Sequence, residues 1–189
     1  MDNTLYLFVG KSASGKTTVA NFLEKKHGLK QVNSYTTRPP RYDGEIGHIF
    51  VSDTEFDNLG EMVAYTEYNG FRYGTTAEQL DKCKIYVVDV PGVKTLLERY
   101  KTDRKIAILY FSTNVCTRIN RMIDRGDSDM AIISRLLQDE KEDWHDELNS
   151  VVWRYYTFYS RTIYLFDMYA DDDLASVVTR AERYMGVSA

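Results

Sequence analysis

"FVGKSASGKTTVANFL", residues 8–23, joins the end of an apolar run to apolar residues at helical spacing. Residues 10–17 within it fit G-x-x-x-x-G-K-[ST], with two glycines, a lysine and a hydroxyl residue at fixed spacing. Gly10 and Gly15 allow backbone conformations that a Cβ resists, so successive N–H groups can converge on one anion at the start of the helix. An ordinary Gly/Ser turn needs neither the lysine nor the spacing. The stretch therefore predicts a phosphate-binding loop between a strand and a helix.

The loop pattern also assigns roles to individual side chains. We expect Lys16 to bridge the β- and γ-phosphates of a nucleotide and Thr17 to bind Mg²⁺. A second acid near the metal is expected from "IYVVDVPG", where Asp89 ends a buried strand. The alternative is that Asp89 caps the helix that begins near Pro91. The predicted donor-binding residues of the loop are Gly10, Ser12, Ala13, Ser14, Gly15, Lys16, Thr17 and Thr18.

Composition limits the remaining possibilities. The chain has 189 residues, 43% hydrophobic and 28% charged, which suits one α/β domain with a buried core. A formal net charge of -4 argues against a protein that coats nucleic acid, since that requires a broad basic face. No apolar run approaches the roughly 18 residues that span a bilayer, and the chain begins without a basic, cleavable leader pattern. Cys83 and Cys116 are expected to be reduced packing residues, so we predict a cytoplasmic location.

Short apolar runs alternate with amphipathic stretches, which is typical of a parallel sheet covered by helices. Strands are predicted at 4–9, 85–90, 106–111 and 162–166, with a shorter candidate at 29–35. Helices are predicted at 16–26, 91–100, 114–124, 130 to about 150, and 172–185. The sequence therefore predicts a three-layer α/β fold of the P-loop NTPase type with a central parallel sheet.

Two segments interrupt this alternation. Residues 34–76 are rich in Tyr, Thr, Arg and Gly, and residues 118–135 are rich in Arg and Asp. We interpret both as lobes attached to the sheet. The core then comprises about 1–33, 77–117 and 136–189.

The inserted segment carries the residues of a second phosphate site. "NSYTTRPPRYDGE", residues 33–45, places Arg38 and Arg41 beside several hydroxyls. Guanidinium groups match phosphate oxygens through two parallel hydrogen bonds, so this pair predicts an anion site. "TEYNGFRYGTT", residues 66–76, adds the hydroxyls of Tyr73 and Thr75.

The second interruption, "CTRINRMIDRGDSDMAIISRLL", contains four arginines around an acidic turn. Phosphoryl transfer is catalysed mainly by positioning and charge, so cations that close over the transferring group are the expected catalytic elements. The alternative is that Arg118 and Arg121 pair with Asp124 and other acids on a helix surface. We assign Arg118 to the surface. The predicted catalytic residues are Lys16, Arg38, Arg121, Arg125 and Arg135.

The order of these segments resembles the guanylate kinase family over nearly the whole chain. The resemblance is carried by the phosphate loop, "SYTTRPPRYDGE", "FVS", "YTEYNGFRYGTT", a strand with Asp89 before "GVK", "RGD" followed by "RL", and "DDDL". It implies that residues 34–76 form a monophosphate-binding lobe and that residues 118–135 form a lid with Arg121, Arg125 and Arg135 as its arginines. It also implies that Asp171 lies near the donor adenine, although Asp171 can equally cap the last helix. The acceptor-binding residues that it implies are Ser34, Arg38, Arg41, Glu45, Tyr73 and Thr75.

The sequence departs from the family pattern at three places near the acceptor base. His48 and Ile49 in "GHIFVS" replace a tyrosine that contacts the acceptor phosphate, and His48 is a possible replacement for that contact. Ala64 stands where the family places a glutamate on guanine, which leaves Glu67 as the nearest acid. "DVPGVK" supplies only Asp89 where the family has two acids. The preferred base and sugar therefore stay open.

The sequence predicts a nucleoside monophosphate kinase that transfers the γ-phosphate of Mg-ATP to GMP or dGMP. Its expected cofactors are ATP and Mg²⁺, its expected partners are small-molecule nucleotides rather than nucleic acid or membrane, and its expected state is a monomer or homodimer. One alternative is a kinase for another (deoxy)nucleoside monophosphate or phosphorylated metabolite. The other is a non-catalytic guanylate-kinase-like binding module, a class that has usually lost the phosphate loop.

Overall fold

The computed structural model describes residues 3–140, 144–159 and 163–187, without the side chains of 156–159. Its strands are β1 (Thr4–Val9), β2 (Ser34–Thr36), β3 (His48–Phe50), β4 (Ala64–Tyr68), β5 (Phe71–Thr75), β6 (Ile85–Val87), β7 (Lys105–Ser112) and β8 (Ile163–Tyr169). Its helices are α1 (Lys16–His27), α2 (Asp53–Asp57), α3 (Ala77–Asp81), α4 (Val90–Arg99), α5 (Val115–Asp124), α6 (Asp129–Asp139), α7 (Trp144–Tyr159) and α8 (Leu174–Met185). Within these ranges no helix is both long enough and apolar enough to cross a membrane.

The central sheet is parallel, with the strand order β6-β1-β7-β8. Phe8 of β1 pairs with Val87 of β6 on one side and with Leu109 of β7 on the other. The carboxyl ends of these strands therefore lie at one edge of the sheet, where ligands bind in open α/β folds. The phosphate loop begins at this edge after β1, and Asp89 follows β6 there.

Side chains of β1 alternate between two apolar cores, one on each face of the sheet. Leu5 and Leu7 pack in a core that includes residues of α4 and α7. Phe8 packs in the opposite core, which includes residues of α1 and α8. All three side chains are fully buried, and burial of each stabilises the fold by roughly 1.5–3 kcal/mol. Helices on both faces of a parallel sheet confirm the predicted three-layer P-loop fold.

The inserted segment forms a second, mixed sheet with the order β3-β2-β5-β4. β2 pairs in parallel with β3, and β5 pairs antiparallel with both β2 and β4. This sheet spans residues 34–75, within the segment interpreted as a lobe. The strand predicted at 29–35 is wrong, because the chain makes a single bridge between Gln31 and Ile85 beside β6 and then enters β2 of the second sheet.

Two further element boundaries differ from the prediction. β6 ends at Val87 rather than at 90, because the Asp89 carboxylate accepts a 2.8 Å hydrogen bond from the Gly92 N–H and starts α4 there. The helix predicted over 130–150 ends early, because α6 stops at Asp139, and the next described helix is α7 from Trp144; residues 141–143 lie outside the described residues. α6 is capped by Ser128, and the side chain of Asp139 at its end is buried beneath the phosphate loop.

Gly10 provides a test of this loop–sheet junction. A Cβ at Gly10 would lie 2.5 Å from the carbonyl oxygen of Phe111, a backbone atom that cannot move aside cheaply. We expect G10A to lower the free energy of unfolding by about 3 kcal/mol, measured by urea denaturation. The control is G28A, since Gly28 also has a positive φ of 67° but has open space around it, and it should lose only about 1 kcal/mol. Equal losses in the two variants would contradict the close approach.

Candidate functional site

The phosphate loop encloses the ammonium of its own lysine. Lys16 Nζ donates to the carbonyl oxygens of Gly10 at 2.6 Å and Lys11 at 2.9 Å, and to Ser14 Oγ at 3.2 Å. Desolvation lowers the pKa of Lys16 to about 8, against the opposing charges of Asp139 and Asp89. The residue as a whole keeps partial exposure. Lys16 is therefore a desolvated cation at the carboxyl edge of the sheet, where added negative charge stabilises its protonated form.

Two cavities meet at Lys16. The helix-side cavity, of about 510 Å³, lies over the start of α1. The lobe-side cavity, of about 490 Å³, lies between the loop and the second sheet. Lys16 lines both of them. The predicted donor residues divide between these cavities: Ala13, Ser14, Gly15, Thr17 and Thr18 line the helix-side cavity, and Gly10 and Ser12 line the lobe-side cavity.

Arg38 and Arg41 are held together by one carboxylate of the lobe. Arg38 donates from both terminal nitrogens to Glu45, at 2.8 and 3.1 Å. Arg41 donates its backbone N–H to the same carboxylate at 2.6 Å. Both arginines line the lobe-side cavity. Although burial opposes it, the guanidinium of Arg38 holds the pKa of Glu45 below its ordinary value. Glu45 thus orients the two cations.

Ser34, His48 and Tyr73 also line the lobe-side cavity, beside the arginine pair. Ser34 Oγ and His48 Nδ1 are joined by a 3.0 Å hydrogen bond, and the His48 ring packs edge-on against Tyr73 at 5.7 Å. Burial and the nearby arginines lower the pKa of His48 to about 4. His48 is therefore neutral near pH 7, so it can donate or accept one hydrogen bond at the cavity without adding charge.

Three predicted acceptor residues lie outside the described lining of this cavity: Glu45, which holds the two arginines, and Thr75 and Glu67. Thr75 is fully buried and donates a 2.9 Å hydrogen bond to the hydroxyl of Tyr86, which itself lines the cavity. Glu67 is exposed and accepts a hydrogen bond from the Tyr65 hydroxyl at 2.5 Å. Thr75 is thus placed one layer beneath the site, where it supports Tyr86. Glu67 is held at the lobe surface by its own strand neighbour.

Asp89 performs one of the two roles considered for it, the cap of α4, and its role at Mg²⁺ stays a prediction. It lines the lobe-side cavity, and it caps α4 through the Gly92 N–H. A Cβ at Gly92 would lie 2.8 Å from the Asp89 carboxylate, so the glycine leaves room for that acid. Among the described residues no cluster of three or more His, Cys, Asp or Glu side chains could hold a metal alone. Thr17 and Asp89 line different cavities, and their role at Mg²⁺ stays a prediction. Their oxygens are of the kind that Mg²⁺ takes, with phosphates and water completing its shell.

The predicted lid arginines lie on both sides of the phosphate loop. Arg121 donates to the carbonyl oxygens of Ala13 at 3.3 Å and Ala170 at 2.7 Å. Arg125 lines the helix-side cavity and Arg135 lines the lobe-side cavity. Both pair with Asp127, Arg135 through Nε at 3.4 Å. The Asp127 carboxylate therefore pairs with one arginine from each cavity.

Asp171 lies beside this group rather than in it. Its carboxylate accepts the Asn114 N–H at 3.0 and 3.1 Å, which ties the end of β8 to the start of α5. The neighbouring Asp172 lines the helix-side cavity, and Asp173 caps α8 by accepting the Ser176 N–H. Asp173 rather than Asp171 is therefore the cap of α8, and the contact of Asp171 with the donor adenine stays a prediction.

Arg118 is not a surface residue. It is 2% exposed, and its Nη1 donates to Asp139 Oδ2 at 2.7 Å. Asp139 also accepts from the Ser12 N–H of the phosphate loop at 2.9 Å and lines the lobe-side cavity. Sequence reasoning missed Asp139, because a single acid at the end of an amphipathic helix carries no local signal of burial.

The chain was compared with known proteins. It is 32% identical over 147 residues to the guanylate kinase of Geobacter metallireducens, with 71% of each chain covered. It is also 32% identical over 152 residues to that of Neisseria meningitidis serogroup A, covering 74% of this chain and 73% of the relative. This chain belongs to the guanylate kinase family. No protein-family model matches it.

The fold of the guanylate kinase family is also seen in the structural comparison. The crystal structure of guanylate kinase from Anaplasma phagocytophilum matches with a TM-score of 0.55 and 16% identity, covering 97% of this chain and 84% of that one. The family and fold predicted from the order of the motifs are confirmed. The roles of individual site residues stay predictions.

The lowered pKa of Lys16 predicts a pH dependence of nucleotide binding. Below about pH 8 the ammonium is already protonated, whereas above it the nucleotide must bind together with a proton. We expect the Kd of a non-hydrolysable ATP analogue, measured by calorimetry, to rise up to about tenfold per pH unit above 8. K16M should bind weakly with no such pH step. The same step in K16M would assign it to another group.

The contact between Arg38 and Glu45 predicts a pH-dependent stability. Because the pKa of Glu45 is lowered by folding, its contribution is present above its ordinary value of 4.5 and is lost as pH falls through the lower folded value. E45Q should lower the free energy of unfolding by about 2 kcal/mol at pH 7, and this difference should shrink below pH 4.5. Urea denaturation at both pH values measures it.

The matched control is E55Q in the same lobe. Glu55 forms a capping box with Ser52 at the start of α2, and glutamine can make the same hydrogen bonds. E55Q should therefore change the pH 7 stability little. A loss in E45Q that is independent of pH, or equal in the two variants, would show that the Glu45 charge does not stabilise the lobe.

Proposed function

We propose that this protein transfers the γ-phosphate of Mg-ATP to the phosphate of GMP or dGMP, which gives the nucleoside diphosphate. The observation that carries the proposal is the meeting of the two cavities at Lys16. Each cavity has its own set of anion-binding groups, and a single ammonium borders both. This arrangement suits a reaction in which one phosphoryl group passes between two bound nucleotides.

The helix-side cavity is the proposed donor site. Backbone N–H groups at the start of α1 and the positive end of that helix favour phosphate there. Thr17 and Asp89 would hold Mg²⁺, and a bound Mg²⁺ would neutralise charge on the β- and γ-phosphates. Arg121 is fixed against the loop by its hydrogen bond to Ala13, so its remaining guanidinium surface faces the donor.

The lobe-side cavity is the proposed acceptor site. Arg38 and Arg41, oriented by Glu45, would bind the acceptor phosphate, with hydroxyls from Ser34 and Tyr73 completing the pocket. His48 would add a neutral hydrogen-bonding group beside them. Thr75 would act indirectly, through its hydrogen bond to Tyr86.

The transfer step needs positive charge rather than a protein base. The acceptor is a phosphate oxygen that is already ionised near pH 7, so no proton has to be removed before attack. Arg125 and Arg135, drawn together by Asp127, would stabilise the charge that spreads over the transferring group. Lys16 would contact the transferring phosphoryl group on both sides, because it borders both cavities.

The acceptor base would lie against the aromatic wall of the lobe-side cavity. A carboxylate accepts hydrogen bonds from N–H groups, which guanine presents on its Watson–Crick edge. Asp89 is assigned to Mg²⁺, Ala64 has no acidic group, and Glu67 bonds to Tyr65, so none of them supports an acidic contact to guanine. This observation favours a second candidate, in which the acceptor is another (deoxy)nucleoside monophosphate.

The proposed setting is the cytoplasm, with small-molecule nucleotides as partners and a monomer or homodimer as the working unit. Both Cys83 and Cys116 are free thiols, as expected in a reducing compartment. The net charge of -4 gives no support for a nucleic-acid partner.

The test is a coupled ADP-release assay with ATP and Mg²⁺ against GMP, dGMP, AMP, CMP, UMP, dTMP and modified deoxynucleotides. We expect turnover with GMP or dGMP. K16M should abolish transfer because it removes the cation shared by the two cavities. R38A should mainly raise the KM of the acceptor, since Arg38 binds only on the lobe side.

Other outcomes of this assay discriminate among the alternatives. Turnover with a different monophosphate alone would replace guanine by that base as the substrate. Binding of Mg-ATP without turnover of any acceptor would indicate a non-catalytic binding module. Full activity in both K16M and R38A would contradict the proposed site. Circular dichroism of each variant provides the control for folding.

A further inference from the structure

A buried ion pair lies beneath the phosphate loop and is not used by the proposed reaction. Asp139 is fully buried and Arg118 is 2% exposed. The Asp139 carboxylate accepts from Arg118 Nη1 at 2.7 Å, from the Ser12 N–H at 2.9 Å and from Ser12 Oγ at 3.2 Å. These four groups connect helix α5, helix α6 and the phosphate loop at one point.

The spacing on the two helices links this point to the lid arginines. Asp139 and Arg135 are four residues apart on α6, so they lie on the same helix face. Arg118 and Arg121 are three residues apart on α5 and likewise share a face. A contact that holds Asp139 against the loop therefore also places Arg135 relative to the loop. In the same way, Arg118 places Arg121.

Asp139 is poorly suited to a direct role in transfer. Its charge is balanced by Arg118, and its oxygens are engaged by three donors. A lone carboxylate at this place would repel the phosphates that the loop binds, whereas the paired one is neutral as a unit. The pair instead fixes positions, because it holds the Ser12 end of the phosphate loop against both α5 and α6.

We propose that Asp139 and Arg118 are positioning residues. Through the contact of Asp139 with Ser12, they fix where Arg121 of α5 and Arg135 of α6 lie relative to the phosphate loop. This inference rests on the proposed phosphoryl transfer. It predicts that hydrogen bonding, rather than charge or packing alone, is what the reaction requires of the pair. Catalysis should then fall in kcat, because misplacement of a charge-stabilising group by about 1 Å can slow a reaction about 100-fold.

The test compares two double variants, since either single variant leaves one buried group without its partner and is expected to fold poorly. R118Q/D139N keeps a donor, an acceptor for the Ser12 N–H and no net charge. R118M/D139L fills similar space with apolar groups. Both should fold, judged by circular dichroism and urea denaturation. We expect R118Q/D139N to keep kcat within about threefold and R118M/D139L to lose about 100-fold, with both KM values within about threefold.

A control variant tests whether the loss of any ion pair between helices lowers kcat. Lys26 and Glu182 pair at 2.7 Å and join α1 to α8 at the end of α1 that lies away from the loop. K26M/E182L should leave kcat unchanged. A kcat for R118M/D139L equal to that of the wild type would overturn the proposal, and so would equal kcat losses in R118M/D139L and K26M/E182L.

A second measurement separates failure of this proposal from failure of the proposed function. Amide hydrogen exchange at Ser12, followed by NMR, does not depend on any substrate. Exchange at Ser12 should be faster in R118M/D139L and close to wild type in R118Q/D139N. If wild-type protein phosphorylates no monophosphate but this exchange pattern holds, the proposed function fails and the link between pair and loop stands. Unchanged exchange in R118M/D139L would overturn the link itself.

Discussion

The structure depends on placing a desolvated ammonium at the carboxyl edge of a parallel sheet. Lys16 reaches this position because β1 ends at Val9, the loop turns at Gly10, and α1 begins at Lys16 itself. Its bonds to the loop carbonyls fix the loop around it. Asp89 and Asp139 supply opposing charge from β6–α4 and from α6. Sheet, loop and helices are therefore organised around one cation.

Four arginines around this cation are each held by a carboxylate. Glu45 holds Arg38, Asp127 holds Arg125 and Arg135, and Asp139 holds Arg118, so these carboxylates are structural partners of guanidinium groups. This pairing allows like charges to be gathered near one point. Charged hydrogen bonds of this kind fix direction as well as distance. Three of the acids around the site, Glu45, Asp127 and Asp139, thus serve to orient arginines.

The sequence predicted what depends on local pattern and missed what depends on tertiary pairing. The apolar run of β1 and the spacing of glycines and lysine in the loop predicted the phosphate site, because both patterns are local in sequence. The end of α6 at Asp139 has no glycine or proline to mark it. The burial of Arg118 depends on Asp139, which lies 21 positions away. Glu67 and Thr75 show the same limit, since pairing with neighbouring elements decides which strand face meets the cavity.

In the proposed reaction, Arg41 would couple closure of the predicted lid to substrate binding. Burial and the neighbouring cations Arg135, Arg38 and Arg125 lower the pKa of Arg41, so cations of the lobe and of the lid already repel one another. Bringing the two segments closer strengthens this repulsion unless an anion lies between them. In the proposed reaction that anion is the substrate's phosphate chain. Closure of the predicted lid, and with it the exclusion of water, would then be favourable only with bound phosphate.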